Sequence, residues 1–344
     1  MGNYFSLRNG VIENQVVTSL CSWWRFTYSP FPCKRLVITR ITMTPSRVRV
    51  IAELLRESAA LVALIMFATE MDLGGALTIT SALRVNKTLT TLDVSYNDIG
   101  NTGVAALAGA LMDHRTLSVL DLSCTSIGFE GASVLARALR ENRALTTLNL
   151  SYNTIGPDGV ASLAGALREN TTLTDLELNC IAMGSDGAAS LSGALMKNTT
   201  LTTVRLCDNG IGPRGAAALA AALLANATLT AMSLMYNGIG QEGVLALQGA
   251  LRENVVLTVM DLTCTERCVA IDRGLRRNQQ FHADDKVTAR TFSMIVREVH
   301  CNRHQAVTLS TLYEPRLWHL VALYAFNTPA ARRKCLAILR EHIE

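Results

Sequence analysis

Aromatic side chains are scarce in this chain: Phe, Trp and Tyr make up 5% of its 344 residues, although 49% are apolar. A core of that size cannot be filled by large rings and must be built from Leu, Ala, Val and Ile at regular intervals. Long apolar runs are also missing. The longest, from Ser58 to Thr69, is too short to span a bilayer and ends at Glu70. Nine cysteines are an odd number and lack the dense spacing of a secreted disulfide scaffold. The start, MGNYFSLRNGVIENQ, has no basic leader followed by an apolar stretch. A reducing, cytoplasmic setting is therefore expected. In that setting the N-x-T triplets at Asn86, Asn170, Asn198 and Asn226 carry no glycosylation meaning.

Catalytic signatures are missing as well. There is no P-loop, dinucleotide fingerprint, nucleophile elbow or zinc-protease motif. His300, Cys301 and His304 form an HCxxH cluster, and Cys264 and Cys268 lie four apart. A metal site needs about four converging ligands, and such spacings are common on helices, so the expectation is no metal, no cofactor and no enzyme activity.

What the chain does have is a period. Leu89, Leu117, Leu145, Leu173, Leu201, Leu229 and Leu257 each open a similar block, 28 residues apart. A typical block reads LTTLNLSYNTIGPDGVASLAGALRENTT, from Leu145 to Thr172. The block from Leu61 keeps Leu64, Met66, Met71, Gly75, Ala82 and Leu83, and a weaker one from Cys33 keeps Leu36, Ile38, Met43, Ile51 and Leu55. Within a block, the alternation Leu148-x-Leu150 predicts a short strand with one face buried. Pro157 then sits where a helix start needs no amide donor, and Leu163, Ala166 and Leu167 recur at helical spacing. One strand and one helix cannot enclose a core alone, so the blocks must stack. Strands pack about 4.8 Å apart and helices about 8–10 Å apart, a mismatch that bends the stack with strands on the concave side.

The pattern LxxLxLxxN followed by IGxxGxxALAxAL resembles the ribonuclease-inhibitor-like class of leucine-rich repeats, which also forms the sensor regions of NOD-like receptors and the body of Ran GTPase-activating proteins. The resemblance implies an α/β solenoid, a curved horseshoe with parallel strands concave and helices convex. It divides the chain into an N-terminal arm (1–32), a degenerate first repeat (33–60), 28-residue repeats with the last one shortened (61–284) and a helical C-terminal cap (285–344). In that class the Asn of LxxLxLxxN turns inward and bonds backbone in a ladder. Asn97, Asn153, Asn209 and Asn237 match it, whereas Thr125, Ile181 and Thr265 do not, so an interruption is expected at Ile181.

The resemblance specifies fold and says little about partners, which are chosen by variable positions. One outward lane reads Asp93, Asp121, Asn149, Glu177, Arg205, Ser233 and Asp261, and the next adds Asp175. At the strand ends Tyr96, Tyr152, Asp208 and Tyr236 share a position with Cys124 and Cys180. These residues are either an ordinary solvated face or a partner site; aligned acids with tyrosines fit recognition of a basic protein surface. At the first blocks the lanes become apolar, with Val37, Ala63, Ile65 and Phe67, a patch that is either covered by the arm CSWWRFTY (Cys21 to Tyr28) or a contact site.

The net charge of +4 is unevenly spread. Residues 1–60 hold eight Lys/Arg against three Asp/Glu and residues 285–344 nine against five, while the segment between holds fifteen against twenty. An acidic middle argues against nucleic acid. The start also fits M-G-x-x-x-[ST], with Gly2 as a myristoyl acceptor and Ser6 as the supporting hydroxyl. The two readings, an acylated terminus in peripheral membrane contact and an ordinary Met-Gly start, both stand. The expected function is a non-catalytic scaffold or sensor that binds a protein partner on the concave face of the repeats. The alternative is a GTPase regulator resembling Ran GTPase-activating proteins, although those typically end in an acidic tail and this chain ends in ARRKCLAILREHIE.

Overall fold

The computed structural model describes residues 34–262, 271 and 273–280, together with the backbone of 11–12. After β1 (Val11–Ile12) its described elements alternate: β2 (Arg35–Thr39), α1 (Pro45–Glu57), β3 (Ala63–Phe67), α2 (Leu73–Leu83), β4 (Thr91–Asp93), α3 (Gly100–Leu111), β5 (Val119–Asp121) and α4 (Phe129–Glu141). They continue with β6 (Thr147–Asn149), α5 (Gly156–Leu167), β7 (Asp175–Glu177), α6 (Gly184–Leu195), β8 (Thr203–Arg205), α7 (Gly212–Ala225), β9 (Ala231–Ser233), α8 (Gly240–Glu253) and β10 (Val259–Asp261). All ten strands form one parallel sheet in sequence order. This is the α/β repeat solenoid expected from the period, and the degenerate first repeat takes part through β2 and α1. The chain divides into two compact units, Met1–Asn278 and Gln279–Glu344, and nearly all of the description falls in the first.

The register follows the period. Leu92, Leu120, Leu148, Leu176, Val204, Met232 and Met260 stand opposite one another on successive strands, and all are buried. Leu163, Ala166 and Leu167 of α5 are buried against them, as their helical spacing predicts. The glycine of IGxxG has a packing reason. A Cβ on Gly159 would lie 2.5 Å from Ile155 Cγ2 and 3.2 Å from Ala132 Cβ, so any side chain there would push successive repeats apart.

The inward asparagines behave as the resemblance implies. Asn97 donates from Nδ2 to the carbonyls of Met66 (2.7 Å) and Val94 (2.8 Å), and its Oδ1 accepts the amides of Thr69 (3.0 Å) and Met71 (2.9 Å). Asn153, Asn209 and Asn237 repeat the arrangement. Thr125 keeps one bond, from its hydroxyl to the Leu122 carbonyl at 2.6 Å. Ile181 has no polar side-chain atom to contribute, and its own amide is taken by Asn209 Oδ1 at 3.0 Å. The ladder is interrupted there, as expected.

A second ladder was not anticipated. Asn86, Asn142, Asn170, Asn198, Asn226 and Asn254 follow the ends of their helices and are all buried. Each donates Nδ2 at 2.7 Å to a leucine carbonyl one repeat back: Leu55, Leu111, Leu139, Leu167, Leu195 and Leu223. The Oδ1 of Asn198 accepts the amides of Thr200 (3.0 Å) and Leu201 (2.8 Å), and the other rungs do the same. One side chain thereby closes a helix end and opens the next strand. The triplets Asn86-x-Thr, Asn170-x-Thr, Asn198-x-Thr and Asn226-x-Thr are parts of this spine, which explains their recurrence on structural grounds. Among the described residues the spine's last rung is Asn278, bonded to the carbonyls of Asn254 (3.0 Å) and Leu257 (2.7 Å).

Candidate functional site

Two rows of side chains lie on or beside the strands. Along the lane Asp93, Asp121, Asn149, Glu177, Arg205 and Ser233 are register partners on β4 to β9; the outward expectation fails at Ser233, which is buried. The lane's chemistry is more internal than the sequence implied. Asp121 Oδ1 accepts the Ser123 amide (2.8 Å) and hydroxyl (2.6 Å), and Asp93 does the same for Ser95. Asn149 Oδ1 accepts the Ser151 amide at 3.0 Å. These are Asx turns that bend the chain off the strand. Asn149 also donates to Asp121 Oδ2 at 3.1 Å. Glu177 is paired with Arg205 at 2.7 Å, and Asp175 accepts the Thr174 hydroxyl at 2.6 Å. Burial raises the Asp93 pKa, opposed by its bonds to Ser95 and assisted by the neighbouring Asp121. The like charges at Asp93 and Asp121 therefore do face each other, but each is tied to a turn. The D-x-S spacing was visible in the sequence and is the signal that this structural role could have been read from.

The second row follows each strand. Tyr96, Cys124, Tyr152, Cys180, Asp208 and Tyr236 recur 28 residues apart, every one with a left-handed backbone, φ between 52° and 60°. The amides of Tyr96, Cys124, Tyr152, Cys180 and Asp208 bond the next repeat, as in Tyr96 to the Ser123 carbonyl (2.9 Å) and Tyr152 to the Asn179 carbonyl (2.8 Å). The row is thus rigidly mounted. Tyr96, Tyr152 and Tyr236 are 48%, 56% and 69% exposed. Tyr96 stacks at a tilt on Phe67, with ring centroids 4.9 Å apart. Cys180 donates from Sγ to Asp208 Oδ2 at 3.4 Å. Burial and Asp208 push the Cys180 thiol up, and Cys180 in turn raises the Tyr152 phenol, with smaller contributions from burial, Tyr96 and Asp208. A thiol shifted in that direction stays protonated at neutral pH and is a poor nucleophile.

Among the described residues no group of three or more His, Cys, Asp or Glu side chains is placed to hold a metal. Cys264, Cys268, His300, Cys301, His304, Gly2, the arm from Cys21 to Tyr28, the terminal cap and Asn327-Thr328-Pro329 lie outside the described residues. Val37, Ala63, Ile65 and Phe67, on β2 and β3, are partly exposed.

A family model described as Leucine Rich repeat matches residues 85–108, 113–136, 141–164, 197–220 and 225–247. Those stretches carry leucine-rich repeats. The chain's inward asparagines and strand–helix alternation are in keeping with the ribonuclease-inhibitor-like type. No curated protein matches it. Among solved structures, "Leiomodin-1 Actin-Binding Site 2 (ABS2)" is similar at 17% identity, covering 64% of this chain and 96% of that one, with a TM-score of 0.32. The tropomodulin C-terminal domain of Caenorhabditis elegans is also 17% identical, covering 46% of this chain and 98% of that one, with a TM-score of 0.38. Neither likeness is close enough to lend this chain a partner. Leucine-rich repeats typically serve as protein-binding scaffolds without catalysis, since a stack of repeats presents a long, rigid surface.

Proposed function

We propose that the protein is a binding scaffold that engages a protein with a basic surface through the tyrosine row and the adjoining acidic lane. One observation carries this reading. A left-handed backbone position favours glycine, yet three repeats place a large, exposed tyrosine there. The fold does not require it, because Cys124, Cys180 and Asp208 fill the same position in other repeats. Tyrosine on a rigid mount is a common binding anchor, offering a large apolar face and a polar tip at little conformational cost. Asp93, Asp121, Asp175 and Asp208 lie on the same side of the sheet, and Arg205, the cation among them, is neutralised by Glu177. The combined field favours a basic partner.

The experiment is affinity capture from a candidate host lysate with the full chain, followed by titration of each captured protein against the parent and Tyr152→Ala/Tyr236→Ala. A genuine partner loses affinity on the double substitution and binds more weakly as salt rises, since the screening length is about 8 Å at physiological ionic strength. Captured proteins that bind both forms equally and ignore salt would exclude this face.

A further inference from the structure

The turns that lead from each helix into the next strand form the rim at the opposite end of the strands from the tyrosines. Three consecutive turns, residues 84–87, 112–115 and 140–143, carry five Lys/Arg against two Asp/Glu. The asparagine spine stacks them: Asn142 Nδ2 bonds the His114 carbonyl at 3.3 Å in addition to the Leu111 carbonyl. Lys87, Arg115 and Arg143 occupy one position in successive repeats, and all three are exposed.

The molecule supplies its own control for what the fold needs there. The next three repeats hold Thr171, Thr199 and Ala227 at that position, so the turn does not demand a cation. Lys87 also reaches the Arg84 carbonyl at 3.1 Å, and Arg143, next to the α4 C-cap Asn142, is drawn to the helix dipole, but Arg115 lies four residues beyond the end of α3. Arg84 and Arg140 are different. A Cβ on Gly109 or Gly165 would lie 3.2 Å from their Nη2 atoms, so each guanidinium lies over a glycine of the next helix and has a packing role. Two apolar side chains interrupt the cations. Val85 is 57% exposed where the next repeats carry Asp113, Glu141 and Glu169, and Met112 is 40% exposed where Arg84, Arg140 and Arg168 stand in other repeats.

We propose that this rim docks on an anionic lipid surface, with Lys87, Arg115 and Arg143 meeting headgroup charges and Val85 and Met112 entering the interface. Clustered cations are drawn to acidic leaflets, and exposed apolar side chains among them add burial at the headgroup boundary. An acidic protein or a nucleic acid would also attract the cations. Nucleic-acid grooves add aromatic platforms for the bases, whereas these three turns contain no Phe, Tyr or Trp and their one imidazole, His114, is buried. The rim and the tyrosine row lie at opposite strand ends, so a protein partner and a membrane can be held together.

The test uses the full chain, made without acylation so that no lipid contributes, in flotation with phosphatidylcholine vesicles with and without phosphatidylserine. The parent should float with the acidic vesicles alone, and less so as salt rises. Lys87→Glu/Arg115→Glu/Arg143→Glu should weaken that binding at least about tenfold. Val85→Ser/Met112→Ser should weaken it by a smaller factor that salt does not change. A melting curve for each variant establishes that it is folded. Three results would overturn the proposal: no binding of the parent to acidic vesicles; a folded triple variant that floats as well as the parent, which would assign binding to the basic ends of the chain; or binding of the parent to duplex DNA or polyglutamate, but not vesicles, that the triple variant loses.

Discussion

His114 Nδ1 accepts the amide of Leu117 at 3.1 Å, standing in for an asparagine oxygen between the rungs at Asn86 and Asn142. The substitution is incomplete. An asparagine Nδ2 would reach a leucine carbonyl one repeat back, whereas His114 Nε2 is buried with no close hydrogen-bond partner. Restoring the rung with His114→Asn lets Nδ2 donate to the Leu83 carbonyl and is expected to stabilise the fold by about 1 kcal/mol at neutral pH. Burial, with the nearby Lys87, lowers the His114 pKa from the ordinary 6.5, opposed by the Asn86 backbone. The unfolded chain therefore takes up this proton first, and stability falls as pH drops through 6.5 toward the lower folded value. Denaturant titrations of both forms at several pH values should show the parent losing more stability than the variant on acidification below that point.

The spine itself is expected to be costly to break. Asn198→Ala leaves the Leu167 carbonyl and the amides of Thr200 and Leu201 without the partner they share. Two to three buried bonds lost at one point should cost about 2–4 kcal/mol, read as a lowered denaturation midpoint. The same geometry bears on the sequons. A glycosylated Asn198 would have to withdraw its Nδ2 from a 2.7 Å bond in the core, so intact-mass measurement of folded protein passed through a glycosylating compartment should show this triplet unmodified.

Much of the fold was legible because period and burial carry the same information. Leu92, Leu120 and Leu148 predicted the sheet register, and the mismatch at Ile181 predicted the broken inward ladder. The spine escaped notice because a buried asparagine after a helix reads, in sequence, as an ordinary polar turn residue; only its recurrence every 28 positions marks it. The register of the acidic lane is legible in the sequence, but its internal bonding is not. Asp121 and Asp93 are bound to serines two residues on, and Glu177 pairs with Arg205 on the neighbouring strand, a relation that needs the register to be known. The left-handed backbone beneath Tyr96, Tyr152 and Tyr236 was not visible either, since tyrosine, cysteine and aspartate share no propensity that would reveal it.

Leu148 is fully buried between Leu120 and Leu176 on the adjoining strands. Leu148→Asp places a carboxylate where no donor is within the repeat pattern, and the expected result is loss of cooperative folding, with destabilisation above about 4 kcal/mol. Circular dichroism melts would check it; a variant melting within a few degrees of the parent would contradict the stacked core.

The lane and the tyrosine row can be separated by mutation because their structural duties differ. Asp121→Ser removes a charge and also the acceptor for the Ser123 amide and hydroxyl, so it should lower stability by about 0.5–1.5 kcal/mol whether or not a partner binds there. Tyr152→Ala removes a side chain that is mostly in solvent, and its stability cost should stay within about 0.5 kcal/mol. Against a basic partner the order reverses. Loss of one charge from the lane should mainly slow association, and increasingly less so in high salt. Loss of the anchored ring should leave association nearly unchanged and speed dissociation, because contacts formed after encounter govern residence time. Surface plasmon resonance over a salt series distinguishes these outcomes. Equal rates for the parent and Tyr152→Ala, alongside a slowed Asp121→Ser, would keep the acidic lane as the site and remove the tyrosine row from it.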